Sequence, residues 1–82
     1  MNYPSSDDSF ARLHCSGWSV GEAAFLTSDG RIMWLVSGMN GENVVQAHGA
    51  TQAEAWWRAV EQAQAVGMVR GLEPRHASRY LG

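Results

Sequence analysis

The chain contains no lysine, a single cysteine, two prolines and few charges, 17% of its residues. Each scarcity excludes something. All six basic residues are arginine and the formal net charge is −2. The chain therefore lacks the strong positive field by which proteins neutralise phosphate backbones. The arginines are scattered, which reads as compositional bias rather than as a bidentate anion site. Cys15 alone cannot close an internal disulfide, and small secreted domains usually carry several. No apolar run approaches the ~18 residues of a membrane span. The opening MNYPSSDDSF is acidic and polar, unlike a signal peptide. Together these predict a cytoplasmic protein. There is no GxGxxG, no GxxxxGK[ST] and no nucleophile elbow.

What is present suits one small domain. A chain of 82 residues buries only about 60–65% of its unfolded surface, so its core is thin. Four tryptophans offset this, each ring burying on the order of 150–250 Å². Residues 1–5 read as a flexible lead, 6–69 as the domain and 70–82 as an irregular or disordered tail, where Gly71 and Pro74 break any helix. Ser5 or Ser6 caps a short helix with Asp7 and Asp8 in its first turn, Phe10 and Leu13 on one face, and Gly17 at its end.

Asp29-Gly30 and Asn40-Gly41 are hairpin dipeptides flanked by apolar, β-branched and aromatic runs. They predict strands over about 18–27, 31–38 and 43–49. If both loops have two residues, Phe25 pairs with Trp34 and Val36 with Val45. One face then holds Ala23, Phe25, Ile32, Trp34, Val36, Val45 and Ala47. The other holds Val20, Glu22, Ala24, Leu26, Met33, Leu35, Ser37, Val44, Gln46 and His48. It is more apolar than a solvated face.

Thr51-Gln52-Ala53-Glu54 is a capping box, with Thr51 accepting from the Glu54 amide and Glu54 reaching back to Thr51. The helix it opens runs to about Val66, before Gly67. Ala53, Trp56, Ala59, Val60 and Ala63 form its apolar stripe, and Trp57 lies at the stripe's edge. Trp56 is expected against Trp34 and Phe25. The fold class is therefore α+β: a three-stranded antiparallel meander packed on one C-terminal helix, with a short N-terminal helix.

The chemistry-bearing residues are sparse. His14 and Cys15 are adjacent, so on a helix their side chains diverge by about 100°. Cys15 reads as a half-buried structural thiol. His14, His48 and His76 are widely separated, and a metal site would have to gather His48, Glu22 and His14 from distant elements. No catalytic residue, metal ligand or cofactor is assigned, and the chain is expected not to be an enzyme. The candidate interface is Val20, Leu26, Met33, Leu35, Val44 and Trp57. Arg70, Arg75 and Arg79 make the tail locally basic and are the candidate contacts to an anion or nucleic acid.

Gly49-Ala50-Thr51-Gln52-Ala53-Glu54-Ala55, a strand ending in glycine followed by a Thr-capped helix, resembles the HicB-type antitoxin domain. The layout from Trp18 to Val66 is also similar to half of a double-stranded-RNA-binding fold and to the sheet and helix of AP2-type DNA-binding domains. Gly41-Glu42-Asn43-Val44 together with Gly49 to Trp56 resembles small planctomycete-type bacterial proteins of unknown function, across residues 17–68. That resemblance implies no activity. The first expectation for function is a small binding or oligomerisation module, a homodimer or a complex with another protein. The alternative is a nucleic-acid-binding or antitoxin-like regulator.

Overall fold

The computed structural model describes residues 2–67. Two helices and three strands follow in the order α1 (Ser6–Cys15), β1 (Ser19–Leu26), β2 (Ile32–Asn40), β3 (Asn43–Gly49) and α2 (Gln52–Ala65). The strands form one antiparallel sheet in the order β1-β2-β3. The α+β class and the element order are as expected. The tail from residue 70, with its three arginines, lies outside the described residues.

Both helices are nucleated by their own caps. Ser5 accepts from the Asp8 amide at 3.1 Å, and Thr51 accepts from the Glu54 amide at 3.1 Å. The Glu54 carboxylate turns back, but onto the Ala50 N–H at 2.9 Å, one residue short of the box's usual partner. Gly17 and Gly67, at φ +92° and +76°, follow the two helices in the left-handed conformation that ends them.

The hairpins differ from the expected pair, and the difference moves one strand. The first loop has three residues, Ser28-Asp29-Gly30. The Thr27 N–H donates to Arg31 O at 2.8 Å and the Gly30 N–H to Thr27 O at 3.0 Å, the pattern of a type I turn closed by a left-handed residue. Gly30 supplies that residue at φ +84°. Phe25 therefore pairs with Met33, and Trp34 with Ala24. The second loop has two residues, Gly41-Glu42, one position later than expected, with Gly41 at φ +65°. Val36 pairs with Ala47 rather than Val45. That two-residue change leaves β2 and β3 on their expected faces, because side chains alternate with period two. The single extra residue in the first loop turns β1 over.

The face toward the helices thus carries Val20, Glu22, Ala24 and Leu26 of β1 beside Trp34, Val36, Val45 and Ala47. Phe25 and Ala23 project the other way, and Phe25 is 45% exposed. Leu13, Trp18, Val36, Val45, Ala47, Ala55, Trp56, Ala59, Val60 and Ala63 make the core. Both helices lie on this one face: Leu13 of α1 is buried in the same cluster, and Phe10 meets Trp56 edge-on at 5.7 Å. Trp56 therefore packs against Phe10, whereas Phe25 is on the far side of the sheet.

Candidate functional site

The second face of the sheet is open. Its rows run Ser19-Met39-Val44, Gly21-Ser37-Gln46, Ala23-Leu35-His48 and Phe25-Met33. No Asp, Glu or Arg is among them. Phe25, Met39 and Val44 are exposed, and Met33 and Leu35 are half-buried. At the Met39-Val44 end, small side chains leave a shallow depression of about 430 Å³ lined by Ser19, Val20, Gly21, Ser37, Gly38, Met39 and Val44.

The expected interface is therefore divided. Met33, Leu35 and Val44 lie on the open face. Val20 and Leu26 do not, because β1 is turned over: Val20 packs at the margin of the core, and Leu26 stands on the helix side near the hairpin tip, 71% exposed. Phe25 and Met39 are open-face residues that the sequence reading missed. Phe25 was hidden by the assumed loop length. Met39 lay beyond the assumed end of its strand, as β2 runs on to Asn40. Trp57 is elsewhere, half-buried against the core, with the Arg12 guanidinium 5.9 Å from its ring centre.

Trp57 also borders an open groove of about 630 Å³ with Asn2, Tyr3, Arg58, Glu61, Gln62 and Ala65. Here the Arg58 Nη2 lies 2.7 Å from Glu54, and the Tyr3 hydroxyl donates to the same carboxylate at 3.4 Å. The Tyr3 phenol and then the Glu54 charge hold the Arg58 guanidinium above its ordinary range, so it is a fixed cation. These contacts tie the N-terminal lead to α2.

The residues considered for chemistry are not brought together. Glu22 faces the helices, where it accepts from Trp56 Nε1 at 2.6 Å and from Gln52 Nε2 at 2.9 Å, while His48 sits on the open face. A metal site from Glu22, His48 and His14 would have to pass through the sheet. The His14 ring stacks on Phe10 at 5.5 Å. Cys15 is exposed rather than half-buried. Among the described residues no group of three His, Cys, Asp or Glu could hold a metal ion, and no helix is long and apolar enough to cross a membrane.

No family model, curated protein or solved structure matches the chain.

Proposed function

We propose that the protein is a small non-enzymatic binding and oligomerisation module, that its sheet is the working surface, and that the occupant of the open face is a second copy of the chain. The observation that carries this reading is the uncharged, apolar-ended face opposite both helices. Large apolar patches seldom stay bare on soluble monomers. A face without formal charge meets itself without like-charge repulsion, which suits a two-fold contact. Its rows hold no arginine or lysine to neutralise a phosphate backbone.

Three strands about 4.8 Å apart, over about seven residues at ~3.3 Å each, project a patch of roughly 14 by 23 Å. With side-chain relief, two such patches bury on the order of 1,000 Å², the lower edge of specific interfaces. Stacked faces alone would give a weak, concentration-dependent dimer. Light scattering tests this. The mass should rise from 9.0 kDa toward twice that value between low and high micromolar concentration, and Leu35→Lys should raise the dissociation constant at least tenfold, as expected when a central apolar contact is lost. A 9.0 kDa monomer at every concentration would end the reading.

A further inference from the structure

The sheet has two edges, and they are treated differently. On β3 the Gln46 N–H donates to Gln62 Oε1 at 2.9 Å, and Gln62 Nε2 donates to Gln46 O at 2.8 Å. A side-chain amide from α2 thus takes both outward backbone groups of that residue, where another strand would bind. Such plugs are how edges are kept from pairing. β1 has none. The Thr27–Arg31 bond fixes the alternation of its ladder, so Gly21, Ala23 and Phe25 bond to β2. Val20, Glu22, Ala24 and Leu26 then point N–H and C=O away from the sheet, and among the described residues no group takes them. Seven of its eight residues are exposed.

We infer that the free edge of β1 is a self-association site, at which two copies pair antiparallel about a two-fold axis through Ala23 and join their sheets into one of six strands. The inference rests on the reading that copies meet through the sheet, but it names a different contact from the stacked faces. The side chains select the register. Centring the pair on Glu22 sets two carboxylates opposite each other. Centring it on Ala24 leaves Val20 beyond the partner strand's end. Centring it on Ala23 sets Glu22 opposite Ala24 of the second copy and Val20 opposite its exposed Leu26, with about eight inter-strand hydrogen bonds. It also lays the exposed Phe25 ring over Gly21 of the second copy, where a side chain would meet nothing within 4 Å. An aromatic over an edge glycine is a known stabilising pair. The joined sheet doubles the open face, which strengthens any stacking.

The test uses cross-linking in a Cys15→Ser background. In this register Ala23 opposes itself in a non-hydrogen-bonded pair, with Cα atoms about 4.5 Å apart, within the disulfide range. An Ala23→Cys variant under mild oxidation should form covalent dimers at least tenfold faster than a Ser37→Cys variant at the centre of the open face. Adding Ala24→Pro removes an outward N–H and no β1–β2 bond, and should slow the reaction tenfold with the circular dichroism spectrum kept. Cross-linking through the Ser37→Cys variant alone leaves the stacked faces standing and overturns the edge. A rate indifferent to Ala24→Pro also overturns it. Should that variant fail to fold, hydrogen exchange on the unaltered chain decides. Glu22 and Ala24 amides protected at high concentration and released on dilution support the pairing, and free exchange at every concentration refutes it.

Discussion

The Trp56 indole donates its Nε1 proton to the Glu22 carboxylate at 2.6 Å, joining the N-terminal half of α2 to β1 on the helix face of the sheet. Gln52 donates to both oxygens of the same carboxylate, at 2.9 and 3.0 Å. An acid on the helix-facing side of a thin sheet is tolerable because its oxygens are occupied. It gives the nearly buried indole N–H a partner. Glu22→Ala leaves that donor unpaired and should cost about 1–2 kcal/mol in urea unfolding, whereas Glu22→Gln keeps an acceptor and should cost less than half as much. Equal losses would show that the bond contributes nothing specific.

That bond also explains how far the fold was legible. The caps, the helix stripe from Trp56 to Ala63 and the faces of β2 and β3 follow from spacing alone, because each depends on local chemistry or on a parity that a two-residue shift preserves. The face of β1 depends on one loop residue. A two-residue Asp29-Gly30 loop puts Phe25 inward and Glu22 outward, which looks right by hydrophobicity. Thr27 decides otherwise: its hydroxyl accepts from the Arg31 N–H at 3.1 Å and bonds the Asp29 side chain, which stabilises the three-residue loop. Trp18 opened the expected strand but was given to neither face, and the observed strand starts one residue later; Ala55 was missed because it lies beside the stripe; both are buried. The open face was legible in part, through Met33, Leu35 and Val44.

Ser9 and Leu13 sit one helical turn apart on the buried side of α1, and they should respond oppositely to alanine. The Ser9 hydroxyl is buried without a partner. Ser9→Ala removes that desolvation penalty and adds helix propensity, for a gain of about 1 kcal/mol. Leu13 is fully buried, and Leu13→Ala should cost about 2–5 kcal/mol, depending on how far the site collapses. Thermal unfolding should place the two variants on opposite sides of the parent. If α1 were only loosely docked, neither would move the midpoint.

Gly49 is fixed by closeness rather than by backbone angle. A Cβ there would lie 2.6 Å from the Ala55 nitrogen, in the first turn of α2, and backbone cannot step aside as a flexible side chain can. Gly49→Ala should destabilise by about 1–3 kcal/mol, the usual range for overpacking. Gly21→Ala, with nothing near its Cβ, should change the stability of the monomer far less. The pair separates crowding from the general effect of placing alanine for glycine in a strand.

The first hairpin should weaken in acid. The Thr27 hydroxyl, bonded to the Asp29 carboxylate, holds that carboxyl below its ordinary value. A carboxyl whose folded value is depressed stabilises the fold above the ordinary aspartate value of about 3.9, and that contribution is lost as pH falls through the lower folded value. Asp29 is exposed in the hairpin loop, so the effect is local. NMR titration should find Asp29 protonating below the ordinary value, and Thr27→Ala should return it upward. An unchanged midpoint in Thr27→Ala would remove the hydroxyl as the cause.

Gln62 is where the two edges of the sheet bear on each other. With Gln46 plugged, a pair formed through β1 presents outer strands blocked at their middle residue, which disfavours edge-to-edge growth past two copies. Gln62→Ala frees the Gln46 N–H and C=O to water, which should cost the fold only about 1 kcal/mol, since exposed groups find solvent partners. Its larger effect should be on assembly. A chain that can pair through both edges no longer closes on itself, and open arrangements of that kind grow without limit. Light scattering of Gln62→Ala should therefore show masses climbing past the dimer with concentration, and Ala24→Pro in the same chain should cut that growth back to pairs. Growth that ignored Ala24→Pro would mean that β3 alone recruits further copies, and β1 would then have no part in the assembly.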